Sequence, residues 1–118
     1  MIYRPQTINF REVYRGDTFH LTDFIVSSNY EIKPTTDILM QIRPTGDIPE
    51  MPVLTFSTEE NGGITIAGQT LTFHKETSEM QLVRSGRFEY DMEFTTDNIK
   101  TTLYKGLFEI MQDDSKTS

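Results

Sequence analysis

Apolar and polar residues alternate most strictly between Gly86 and Met111, and that stretch guides the reading of the rest of the chain. Phe88, Tyr90, Met92 and Phe94 interleave with Arg87, Glu89, Asp91 and Glu93. Successive strand side chains point to opposite faces, so this period puts the large apolar groups on one face and the charges on the other. One buried face and one wet face mark an antiparallel sheet, because parallel strands are covered on both sides. Asp97-Asn98 then predicts a hairpin, closed by a tight two-residue turn or by a loop of about three to five residues.

On the return strand Ile99 and Leu103 share one parity, and Phe108 and Ile110 share the other. A bulge across Lys105-Gly106 is predicted to bring Leu103, Phe108 and Ile110 to the same face, since glycine tolerates the backbone of a bulge.

The same patterning orders the remaining chain. Thr7 to Phe10 and Glu12 to Tyr14 predict short edge strands after Pro5, and Arg15-Gly16-Asp17 predicts a turn. Thr18 to Val26 reads as a strand with a bulge near Asp23, followed by a polar loop from Ser27 to Thr36. Asp37 to Arg43 places Ile38, Met40 and Ile42 on one face until Pro44, Gly46 and Pro49 break the strand. Val53 to Ser57 is a strand entered through Pro52, and Glu59 to Gly63 is the strongest turn signal. Ile64 with Ile66, and Leu71 with Phe73, mark two short strands joined at Ala67-Gly68-Gln69. Glu76 to Val83 is the one predicted helix, capped by Thr77 or Ser78, with Met80 and Val83 on one side. Gly16, Gly62, Gly63, Gly86 and Gly106 are assigned to turns or bulges.

The expected fold is all-β, an antiparallel β-sandwich (Ig-like or related) or a partly open barrel, with about seven to nine strands and one short helix near 77–83. Residues 1–118 read as a single domain, with 1–5 and 112–118 frayed. A chain of 118 residues buries roughly 65% of its unfolded surface, enough for a core without covalent staples.

Composition narrows the chemistry. The absence of cysteine excludes a disulfide framework, thiolate metal sites and a cysteine nucleophile. A formal net charge of −7 argues against non-specific nucleic-acid binding. No apolar run is long enough for a membrane helix, and MIYRPQTINFREVYRG lacks the apolar core of a signal peptide.

Glu89, Asp91 and Glu93 are the candidate acid/base or cation cluster, but the pattern equally describes a solvated face paired with Lys105 or Arg87. His20 and His74 are expected on outward faces, with no local spacing that completes a zinc site. No serine sits in a nucleophile-elbow context, and Asn61-Gly62-Gly63 opens a strand rather than a phosphate-binding helix. Arg15-Gly16-Asp17 spells an adhesion tripeptide, yet Gly-Asp before a strand is ordinary turn chemistry. Tyr3, Tyr14, Tyr30 and Tyr104 lack a clear inward register and are the candidate sugar-stacking rings.

Several stretches together carry a family resemblance: Gly16-Asp17-Thr18-Phe19, the strand ending at Arg43, Gly63 to Ile66, Gly86 to Glu93, and Thr102 to Ile110. Their order resembles small β-sandwich proteins of phage and prophage particles, including the N-terminal domains of baseplate upper proteins. The resemblance implies a non-enzymatic virion component of the tail, baseplate or neck, made in the bacterial cytoplasm and working by assembly. Its implied partners are other virion proteins and copies of itself, with no nucleic acid, membrane, cofactor or metal. Edge strands are natural docking sites, and the candidates are Ile8, Phe10, Val13 and Tyr14 near the N-terminus and Val53 and Phe56 in the middle strand. The alternative is a carbohydrate- or cell-surface-binding module.

Overall fold

The computed structural model describes residues 5–14, 16–45 and 51–112. Its strands are β1 (Gln6–Thr7), β2 (Phe10–Tyr14), β3 (Phe19–Ile25), β4 (Asp37–Pro44), β5 (Leu54–Ser57), β6 (Ile64–Ala67), β7 (Thr70–Lys75), β8 (Gly86–Thr96) and β9 (Ile99–Met111), with one short helix, α1 (Thr77–Met80). The predicted breaker residues Gly46 and Pro49, the terminal residues 1–4 and 113–118, and Arg15 lie outside the described residues.

The strands form an all-β sandwich. The larger sheet runs β1-β9-β8-β4-β5, with β2 also on β9, and the smaller runs β3-β7-β6. Rings cross the gap between the sheets: Phe24 lies 5.2 Å from Tyr104, and Phe73 lies 5.8 Å from Phe56. Met80 and Val83, following the helical spacing, close one margin of this core.

The β8–β9 hairpin is the centre of the larger sheet. Phe88, Tyr90, Met92 and Phe94 are all buried, and β4 matches them with Ile38, Met40 and Ile42 in register. Asp97 and Asn98 close a two-residue turn with φ of 52° and 68°, the positive pair that a type I′ hairpin requires. Thr96 faces Ile99 directly across it.

The bulge of β9 lies three residues before Gly106's expected role. Met92 pairs with Tyr104 and Glu93 with Thr102, so Leu103 is the extra residue, and both Leu103 and Tyr104 are buried. Lys105-Gly106 instead pairs regularly with Asp91 and Tyr90. Gly106 serves a different need: a Cβ there would collide with the Ile8 carbonyl oxygen.

That close approach belongs to the N-terminal segment, whose pairing departs from the antiparallel expectation. β1 and β2 both run parallel to β9. Between them Ile8 and Asn9 are tied by side chains as well as backbone. The Ile8 N–H donates to the Lys105 carbonyl at 2.9 Å, the Leu107 N–H donates to Asn9 Oδ1 at 3.0 Å, and the Tyr90 hydroxyl donates to the Ile8 carbonyl at 2.5 Å. The two strands therefore start and stop at other residues than periodicity predicts.

β3 carries the expected irregularity, with a register shift between Leu21 and Phe24 and Asp23 at φ 63°. α1 is shorter than predicted, and its cap is Glu76 rather than Thr77 or Ser78. Glu76 has an extended backbone, and its N–H donates to the Glu79 carboxylate at 3.3 Å.

Loop 27–36 is polar in composition, and the Gln69 side chain holds the main chain of its first part. Gln69 Nε2 donates to the carbonyls of Val26 (3.4 Å), Ser27 (3.3 Å) and Tyr30 (2.8 Å), while its Oε1 accepts the Ile32 N–H at 2.8 Å. Main-chain groups need partners, and here one amide reaches four, its two N–H groups shared among three carbonyls and its oxygen taking one N–H.

Candidate functional site

The sheet edges carry the assembly residues expected from sequence. β2 and β5 bound the larger sheet, and β3 and β6 bound the smaller. Ile8, Phe10 and Val13 are partly buried and pack against the core, and Phe56 is fully buried. Val53 precedes β5 and also packs against the core, while Tyr14 is half-buried at the end of β2 beside Met111. Apart from Tyr14, these side chains pack inward, so the edges present main chain rather than apolar anchors.

On β5 the Ser57 N–H points away from β4 and donates to the Gly62 carbonyl at 2.8 Å. By the same alternation the Thr55 N–H and carbonyl also face outward. The β2 edge is different. Exposed Arg11 and Glu12 occupy it, and Glu12 at φ 57° breaks the ladder between Phe10 and Val13. Charges and a kink blunt an edge against uncontrolled pairing.

Two carboxylates of the β8 row meet cations across the strands. Asp91 lies 3.7 Å from Arg43, Glu93 lies 3.8 Å from Lys100, and Arg87 pairs at 3.3 Å with Glu109. The predicted pairing with Lys105 or Arg87 is replaced because β4 and β9 flank β8 and bring other cations closer. Among the described residues no three His, Asp or Glu side chains converge as a metal cage would require.

Two of the tyrosines considered for sugar stacking are core residues. Tyr30 is buried with its hydroxyl 2.8 Å from Thr96 Oγ1, and Tyr104 is buried with its hydroxyl accepting the Ser27 N–H at 3.0 Å. The Leu103 bulge turns Tyr104 inward, and the Gln69-bound loop turns Tyr30 inward. Neither cause is local to the tyrosine, which is why alternation missed both. Tyr3 lies outside the described residues.

Tyr90 is the titratable group most altered by the fold. Burial, and then the neighbouring Tyr104, push its phenol well above the ordinary tyrosine range. It stays a neutral donor and holds the Ile8 carbonyl. Lys75 is buried to 7% exposure, with its ammonium 3.6 Å from Glu79 and 5.3 Å from the centre of the Phe56 ring. Its stem covers core while its charge reaches a carboxylate.

The histidines meet. His20 on β3 and His74 on β7 are register partners, their Nδ1 atoms are 3.0 Å apart, and His74 Nε2 lies 2.5 Å from Glu76 Oε2. Sequence spacing hid this contact, because the two residues are 54 positions apart. An open groove of about 580 Å³, lined by Glu59, Glu60, Thr65, His74 and Glu79, runs beside the pair. Comparison with known protein families finds no matching family model, and comparison with curated proteins finds no match.

Proposed function

We propose that the chain is a non-enzymatic structural component of a bacteriophage or prophage particle, in the tail, baseplate or neck, and that it works by assembly with neighbouring virion proteins and copies of itself. The observation that carries this reading is the outward main chain of β5, centred on Thr55, on a sheet whose other edge is blunted by Arg11, Glu12 and the Glu12 kink. One edge open and one closed gives directional strand addition, which builds discrete assemblies rather than unlimited ones. The resemblance of the opening, middle and closing strands to phage sandwich proteins supplies the setting.

The test is molar mass by light scattering after size exclusion, over a concentration series, for the native chain and for Thr55→Pro. Proline removes the outward donor of an edge strand and spares the ladder to β4. The expected result is a discrete oligomer that Thr55→Pro reduces to monomer while the fold is kept. A native chain that stays monomeric throughout, or a Thr55→Pro chain that assembles unchanged, removes the support of the edge for this reading.

A further inference from the structure

The contact between His20 and His74 goes beyond assembly. A neutral imidazole carries one N–H and one lone pair. His74 Nε2 donates to the Glu76 carboxylate, so His74 Nδ1 presents its lone pair. The hydrogen on the 3.0 Å line between the rings therefore sits on His20 Nδ1, and His20 Nε2 faces solvent with a lone pair. A carboxylate holding the far nitrogen of an imidazole is the outer-shell arrangement that orients metal-ligating histidines and makes them more basic.

We propose that His20 and His74 bind one divalent transition-metal ion, Cu²⁺, Ni²⁺ or Zn²⁺, through their two Nδ1 atoms, with Glu76 as the positioning residue.

Distance favours this set of ions. Nitrogens 3.0 Å apart, each about 2.05 Å from an ion, subtend about 94° at it. That is close to the right angle between neighbouring ligands in tetragonal Cu²⁺ or Ni²⁺ sites. A tetrahedral Zn²⁺ needs the nitrogens about 3.3 Å apart, a small opening. His74 is pinned by Glu76, so the more exposed His20 ring turns to aim its lone pair. On binding, the His20 proton leaves Nδ1 and a proton is taken up at the solvent-facing Nε2, so the ring stays neutral and no net proton is released.

The surroundings are acidic on both sides. Glu12 and Asp17 line a shallow hollow with His20, and Glu59, Glu60 and Glu79 line the groove with His74. The Lys75 ammonium in the neighbourhood is paired with Glu79. These carboxylates raise the local cation concentration without entering the coordination shell. No third protein donor converges among the described residues, so water completes the shell.

The test uses the full, untagged chain stripped with chelator and titrated with Cu²⁺ at pH 7.5 by calorimetry, with electron paramagnetic resonance reporting coordinated nitrogen. The expected result is one ion per chain with two-nitrogen coordination. His20→Gln and His74→Gln each abolish that signature, and Glu76→Gln weakens affinity about 10–100-fold while keeping it. Both imidazoles lie outside the core, and circular dichroism confirms that each variant is folded. No uptake by the native chain, or equal uptake by the His20→Gln/His74→Gln double variant, overturns the proposal.

Discussion

The β8–β9 hairpin and the N-terminal segment meet along the same strand, yet different physics holds each. The hairpin is local: a two-residue turn sets its register, and alternation fills one face with Phe88, Tyr90, Met92 and Phe94. The N-terminal segment pairs with residues nearly a whole chain length away, in parallel, through Gln6 opposite Tyr104 and Phe10 opposite Phe108. Its grip depends on single atoms, namely the Tyr90 hydroxyl, Asn9 Oδ1 and the space left by Gly106. Burial distributed over many side chains tolerates small changes. A clearance of one methyl group does not.

The sharpest way to break the hairpin is Phe94→Ala. Phe94 is fully buried, opposite Ile38 in the ladder and 5.3 Å from the Tyr30 ring. Its truncation is expected to cost about 3–5 kcal/mol in urea denaturation, and a loss below about 1 kcal/mol contradicts the packing described.

Gly106→Ala tests the other region. The added methyl displaces Ile8, with an expected loss of about 1–3 kcal/mol and faster amide exchange over residues 6–14. In a chain lacking residues 1–15 the same substitution loses the collision but keeps the backbone strain of φ 157°, so its cost falls without vanishing. Equal losses in both backgrounds show that Gly106 acts through β9 itself.

Tyr90→Phe joins the two regions and is expected to cost about 1 kcal/mol at neutral pH. Its folded pKa lies above the unfolded value, so the phenol's contribution is complete below about pH 10 and declines as pH rises beyond it. The alkaline limb of the stability curve should therefore flatten in Tyr90→Phe. An unchanged limb assigns that decline to other groups.

The smallest effect sharpens the hairpin. Asn98→Gly relieves a left-handed residue at φ 68° and is expected to stabilise by about 0.5 kcal/mol, read as a rise in the melting temperature.

The same contrast explains what the sequence reveals. Core-facing residues of β4 and β8 follow from period two, and so does the all-β class. The turn at Asp97-Asn98 and the irregularity at Asp23 follow from residue chemistry. Leu103 as the extra residue does not, because glycine at 106 offers a closer local explanation for the parity change. Tyr30, Tyr104 and the His20–His74 contact all depend on which strands become neighbours, and alternation within one strand carries no information about that. Glu76 escaped as a cap because Thr77 and Ser78 are the commoner capping residues.

Gln69 reads the main chain entering loop 27–36, not its side chains: the carbonyls of Val26, Ser27 and Tyr30 and the N–H of Ile32. The loop's path is thus written at a residue outside it. Exposed positions such as Ser28 and Glu31 are free to change identity without losing that path, which makes this end of the sandwich a place where new surface chemistry can be grafted onto an unchanged frame.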